Sequence, residues 1–284
     1  MIGPTVAPAR LREPQSWGLR IGAAMFVTLV VLVVVGPLVW DVDPTYESFE
    51  SLTELGEPLD AGAEGHPLGT DQKGRDVLAR LLSAGRLTLL TALVSVGIAT
   101  VAGVLVGLLA SNSRRLLGSV LMRFTDLGLA IPGLLLAAAI STILGRGTVS
   151  LIIGLAAVFW APIARVTYGQ AIVLRERDYV EAAQVLGGGA ITVLGRHILP
   201  HLLPVVGAYA ALSVGWAVLF EASLGFLGVG VQEPEASIGS MLGDYLNYYR
   251  RHPGLILFPA LFLGLLVIAA NLAGEALRTR TEER

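Results

Sequence analysis

No cysteine occurs among the 284 residues, so the chain has neither a disulfide framework nor a thiolate metal site. That absence leaves the redox compartment open. Charge is scarce too: 15% of residues are Asp, Glu, Lys or Arg, against about 25% in soluble domains. Lysine is nearly missing. The single lysine, Lys73, stands between Gln72 and Gly74, so the Gly-Lys-Ser/Thr of a nucleotide-binding P-loop cannot be assembled. A Gly-x-Ser-x-Gly elbow and a paired-acid motif are absent as well, which removes two routes to hydrolysis. No basic stripe suggests a nucleic-acid partner. His197 and His201 are four apart, but Pro200 lies between them and no third ligand is evident, so they make a poor metal site.

What the chain has is apolar sequence, 54% of it, gathered in blocks. Ile21–Trp40, Leu87–Ala110, Leu127–Leu144, Thr148–Ala164, Leu202–Phe220 and Gly254–Gly274 carry no charge. A helix rises ~1.5 Å per residue, so roughly 20 residues cross a ~30 Å hydrocarbon layer. A soluble core helix needs a polar face, and these blocks have none. The first block follows Arg10, Arg12 and Arg20 as a signal peptide would. It is too long for one, and no small-x-small cleavage site follows Trp40, so it reads as a permanent anchor.

Six crossings place both termini on one side. With the N-terminus inside, 13 basic residues fall on inner segments and 7 on outer ones. The positive-inside bias therefore predicts cytoplasmic N- and C-termini. The expected fold is an all-α, polytopic membrane protein with six transmembrane helices.

Along the chain, residues 1–20 read as a cytoplasmic tail and 21–40 as the first transmembrane helix. Residues 41–86 form an extracytoplasmic segment, acidic at first. Within it, Asp71 or Gly74 is expected to start a short amphipathic helix at the outer interface, with Val77, Leu78, Leu81 and Leu82 on one face. A five-helix core occupies 87–278, and its third and fourth helices form a tight hairpin through Gly145-Arg146-Gly147. Residues 279–284 end the chain as a second cytoplasmic tail. Two carboxylates lie in or near apolar runs, Asp126 and Glu221. They are candidates for the translocation path, with a hydrogen-bonded structural role as the alternative.

The segment RDYVEAAQVLGGGAITVLGRHILPHLLP, residues 177–204, breaks the apolar pattern. It predicts a short helix over the EAA stretch with Asp178 at its N-terminal end, a stop at Gly187–Gly189, and a second short helix. Pro200 and Pro204 are expected to bend that second helix into the next crossing. Small alanines on an exposed face let another protein approach closely. Lying on lipid headgroups is the competing use.

These residues resemble the EAA signature of ABC importer permeases, Glu-Ala-Ala-x3-Gly-x9-Ile-x-Leu-Pro. Glu181, Ala182, Ala183, Gly187, Leu199 and Pro200 match, and His197 stands where Ile is usual. HPLGTDQKGRDVLARLLSAGR, EASLGFLGVGVQEPEASIGSML and NLAGEALR resemble further segments of the dipeptide/oligopeptide/nickel type, in the same order. The resemblance covers about residues 66–278 and implies the type I ABC importer permease fold. It implies a bacterial inner-membrane subunit that pairs with a homologous second permease. Two cytoplasmic ABC ATPase subunits and an extracytoplasmic substrate-binding protein complete the assembly, surrounded by membrane lipid. ATP and Mg would be held by the ATPases, with no cofactor on this chain. The loop at about 171–203, with Tyr179, Glu181, Ala182, Ala183, Gly187, Leu199 and Pro200, would couple to the ATPases. The implied substrate is a di- or oligopeptide, with nickel or another small solute as the alternative within the family. A stand-alone secondary transporter and a membrane scaffold are the readings from other classes.

Overall fold

The computed structural model describes residues 15–282 apart from 114. Most of the 1–20 tail, the end of the 279–284 tail, and Arg10, Arg12, Arg114 and Arg284 from the charge tally lie outside the described residues. The described chain is helical and has no β-strand. Its helices are α1 (Gln15–Val39), α2 (Val77–Asn112), α3 (Arg115–Ala130), α4 (Gly133–Ile143) and α5 (Thr148–Arg175), followed by α6 (Asp178–Val185), α7 (Ala190–Thr192), α8 (Leu199–Phe226), α9 (Ile238–Asp244) and α10 (Gly254–Glu282). Among the described residues, five helical runs are long and apolar enough to cross a membrane, or six if a bent pair counts as one span.

That bent pair corrects the third expected crossing. Leu127–Leu144 is not one straight helix: α3 and α4 meet at 91°. Pro132 is the cause. It has no N–H to donate, and its ring disfavours helical geometry at Ile131 before it. Hydropathy is blind to this break because proline sits in an uncharged run.

The centre of the bundle is the pair α2 and α5. At 36 residues, α2 is about 54 Å long, well beyond a bilayer's apolar depth. Gly103 and Gly107, one turn apart on α2, let α5 come close. A Cβ on Gly103 would stand 2.7 Å from the Trp160 carbonyl oxygen, and one on Gly107 2.6 Å from Thr167 Cβ. In lipid, where apolar burial drives little association, this close backbone approach holds helices together. On the far side of α5, Gly154 faces the backbone of Ala137 in α4, and Ser141 Oγ donates to the Ser150 carbonyl at 3.3 Å. The tight hairpin through 145–147 is therefore present. α1 packs on α10 with Gly22 against Leu272, and it leaves Val27, Val31, Val34, Val35 and Leu38 facing outward.

The bundle has two functional ends. One gathers residues 41–76 and 228–253. The other gathers the α2–α3 turn and residues 171–203. At the first end, the expected interfacial helix from Asp71 or Gly74 is not formed. Asp71 closes a turn instead: its Oδ1 accepts from the backbone N–H of Lys73 at 2.9 Å and of Arg75 at 3.0 Å. Gly74 has φ of +73°, outside helical geometry. The helix starts three residues later, at Val77. Its cap is Asp76, whose carboxylate accepts from Ala79 N at 2.7 Å. Val77, Leu81 and Leu82 are buried, Leu82 against Gly36 of α1, and do not lie on a membrane surface.

Candidate functional site

At the second end, α6 is a one-sided helix. Val180 is fully buried and packs in a small separate core with Ala171 of α5, Val193, Ile198 and Leu202. Most of α6 around Val180 faces out. Glu181 and Ala182 are exposed, and Ala183 is half-buried. Among the described residues, none pairs with the Glu181 carboxylate. Tyr179 is partly exposed and its ring lies 5.4 Å from that of His201.

Asp178 stands at the N-terminal end of the helix, in its first turn, and Arg177 holds the cap position with no side-chain hydrogen bond. Its charge at the helix N-terminus still favours the dipole. The helix ends at Gly187, which has φ of +88°. Gly187 N donates to the Gln184 carbonyl at 3.0 Å and Gly188 N to the Ala183 carbonyl at 2.9 Å, a left-handed closure suited to glycine.

Beyond the turn, α7 and a π-helical stretch (Val193–Ile198) run directly into α8. The helix carries on through Pro200 and Pro204: Ala190–Phe226 is one continuous 37-residue helical run. The π turn explains this. Pro200 has no N–H and its ring crowds the preceding turn; widening that turn, with Leu199 N donating to the Leu194 carbonyl, relieves the conflict. Leu199 is half-buried and Pro200 exposed, so both belong to the stem behind α6. The result is an exposed tip on a braced stem. Val185, Leu186 and Ile191 are 82%, 87% and 88% exposed, an apolar cluster at the tip of the loop. A second tie fixes the loop's root, where Arg175 donates to the Ser111 carbonyl at the end of α2.

The two candidate carboxylates do not come together. Asp126 of α3 is ion-paired with Arg165 of α5 near the α2 C-terminal end. Glu221 of α8 is fully buried, with the hydroxyls of Thr88 and Ser237 as its polar neighbours. It lies near the opposite end of α2: its neighbour Ala222 abuts Gly239 of α9, and Ile238 N donates to Thr88 Oγ1 at 3.3 Å. Some 20 residues of α2 separate the two levels, on the order of 30 Å.

The sequence reading missed a charged clamp at the end that gathers residues 41–76 and 228–253. Asp71 and Arg75 are buried and joined Oδ2 to Nε at 2.7 Å, with buried Arg80 Nε 3.4 Å from the same oxygen. Glu233, far along the chain, reaches Lys73 at 2.6 Å and Arg75 at 3.3 Å. His252 Nδ1 lies 2.9 Å from Asp60 Oδ1, a second tie across the same gap. The hydrogen bond from Lys73 holds the Glu233 carboxyl below its ordinary range. Its contribution is therefore complete at neutral pH and is lost as pH falls through that lowered value. Burial raises the Tyr245 hydroxyl above its ordinary range. The available signal was the run of five charged residues between Asp71 and Arg80 immediately before an apolar block.

Comparison with known proteins adds to this geometry. Residues 99–284 match the family of binding-protein-dependent transport system inner membrane components. The di/tripeptide transport system permease protein DppC of Pseudomonas aeruginosa is 38% identical, over 91% of this chain and 86% of that protein. The oligopeptide transport system permease protein OppC of Haemophilus influenzae is 34% identical, over 88% and 79%. The glutathione transport system permease protein GsiD of Pectobacterium atrosepticum is 30% identical, over 97% and 93%.

Proposed function

Because the chain belongs to the family of binding-protein-dependent transport system inner membrane components, we propose that it forms, with a homologous second permease, the pore of an ATP-driven importer of di- or oligopeptides. It is a permease subunit of an ABC importer, a non-catalytic multi-pass component of the bacterial inner membrane. In this reading both termini and the 171–203 loop are cytoplasmic, two ATPase subunits bind ATP and Mg, and an extracytoplasmic binding protein delivers the substrate. The peptide class is supported by the three relatives, whose names specify di/tripeptides, oligopeptides and glutathione, itself a tripeptide.

The observation that carries the coupling role is the exposed α6 tip on a braced stem. The ATPase groove would accept Glu181, Ala182, Ala183 and the Gly187 turn, with Tyr179 beside them. Val180 then passes displacement to α5 and, through the π-helical stretch, to α8, because it shares a small core with Ala171, Val193, Ile198 and Leu202. Leu199 and Pro200 continue the stem into α8. To swing a pore from about 1:99 to 99:1 requires ~5.5 kcal/mol of differential binding. ATP-driven closure of the ATPase pair supplies energy on that scale only if the loop is stiff. Glu221 is proposed for the translocation path, at its outer level, while Asp126, ion-paired with Arg165, is read as a structural carboxylate.

The test is labelled-peptide uptake into vesicles. ATP-dependent uptake is expected only when this chain, a second permease, ATPases and binding protein are all present. Uptake by the purified chain alone, driven by a proton gradient, contradicts the proposal.

A further inference from the structure

At the inner end, beside the α2–α3 turn, the bundle holds a cavity of about 480 Å³. Its walls come from the end of α2, from α3 and from α5. Arg123, Asp126, Arg165, Ser119 and Tyr168 supply the polar groups that matter. Ser111 and Ser113 also line it, but their hydroxyl hydrogens are committed to the carbonyls of Leu108 and Leu109. Asp126 neutralises Arg165 through their ion pair. Arg123 has no such partner among the described residues, and neither do the hydroxyls of Ser119 and Tyr168. The cavity thus presents one uncompensated cation and two free hydroxyl donors.

Position narrows the ligand. The uncharged stretch of α2 ends at Ala110, so the cavity sits at the level where hydrocarbon gives way to headgroups. On its outward face, α3 exposes Leu116, Val120, Phe124 and Leu127, a strip at helical spacing that suits an acyl chain. A cationic, hydroxyl-lined cavity beside an apolar strip fits an amphiphile. A net charge of one favours a singly charged phosphodiester over a doubly charged phosphomonoester.

We infer that this cavity is a binding site for the phosphodiester headgroup of an anionic membrane phospholipid, held by Arg123, Ser119 and Tyr168. Arg165 contributes its remaining N–H groups, and Asp126 keeps it in place. A guanidinium takes phosphate oxygens with paired donors, which an ammonium does only as a point charge. Basic pockets between membrane helices recognise anionic headgroups on this physical ground.

The experiment uses the full-length chain, in the complex in which it purifies, placed in phosphatidylcholine vesicles. Spin-labelled phosphatidylglycerol and spin-labelled phosphatidylcholine report the motionally restricted lipid at the protein surface. The wild type is expected to prefer phosphatidylglycerol, and Arg123→Gln to lose that preference by roughly fivefold. Arg123→Lys should keep part of it, and Arg250→Gln, at the other end of the molecule, all of it. Excess inorganic phosphate should leave the preference unchanged. Displacement by inorganic phosphate would reassign the site to a free anion and overturn the lipid. Equal restriction of the two lipids in the wild type, or an unchanged preference in Arg123→Gln, overturns the site itself.

Discussion

Gly187→Trp is expected to lower ATP-driven uptake on the order of 100-fold while leaving the chain folded in the membrane. Two features of the turn make this separation possible. An added Cβ at Gly187 meets nothing within 4 Å, so the isolated chain has room for the indole. The φ of +88° does impose backbone strain on any L side chain, roughly 1–2 kcal/mol. Gly187→Ala carries that strain without the bulk and is the control. If docking is the issue, alanine reduces uptake slightly and tryptophan nearly abolishes it. ATPase activity in the tryptophan variant should persist or rise without transport, since the motor is no longer held by its load. A bulky residue at Ala183 or charge reversal at Glu181 should act in the same direction. Normal uptake in Gly187→Trp, measured as labelled peptide in reconstituted vesicles, contradicts docking at this turn.

The second large effect lies at the other end. Asp71→Ala is expected to destabilise the cap formed by residues 41–76 and 228–253 by about 3–5 kcal/mol, because it leaves two buried guanidiniums without their shared counter-charge. Arg75 and Arg80 are each only 1% exposed. The same change removes the acceptor for the backbone N–H groups of Lys73 and Arg75. Glu233→Gln tests the contrast. Its carboxylate pairs with Lys73 and Arg75 but is half exposed, so water screens it and the loss should be under about 1 kcal/mol. Hydrogen exchange over residues 41–76 measures both. Similar deprotection in the two variants contradicts the assignment of the clamp's strength to the buried pair.

How far the sequence carried the fold depended on what kind of force set each feature. The crossings were legible because each is set by a run of apolar residues whose length matches a bilayer. The break between α3 and α4 was not, since Pro132 interrupts hydrogen bonding without interrupting hydropathy. Asp71 looked like a helix start because the same side chain that caps a helix also caps a turn. Only the left-handed Gly74 and the pull of Arg75 and Arg80 decide between them. The clamp to Glu233 spans 158 residues, and no local pattern encodes a partner so distant.

At the inner loop, the motif residues were legible, and the EAA stretch does form a helix with an exposed face. Its anchor was not: Val180, which no part of the motif marks, is the buried pin. After it, a π turn absorbs Pro200 and keeps the helical run continuous into α8. That continuity is what makes α6 suited to transmit a push.

The central claim is that this chain is a passive gate moved through α6 by an ATP-hydrolysing partner. The natural absence of cysteine permits a direct measurement. A single cysteine at Ala182, exposed on α6, can be cross-linked in native membranes and the adduct identified. The expected adduct joins the chain to a cytoplasmic ATPase subunit, and its yield changes when ATP is trapped in the complex. Labelling of that cysteine from the extracytoplasmic side, or adducts that never contain an ATPase, would contradict the account.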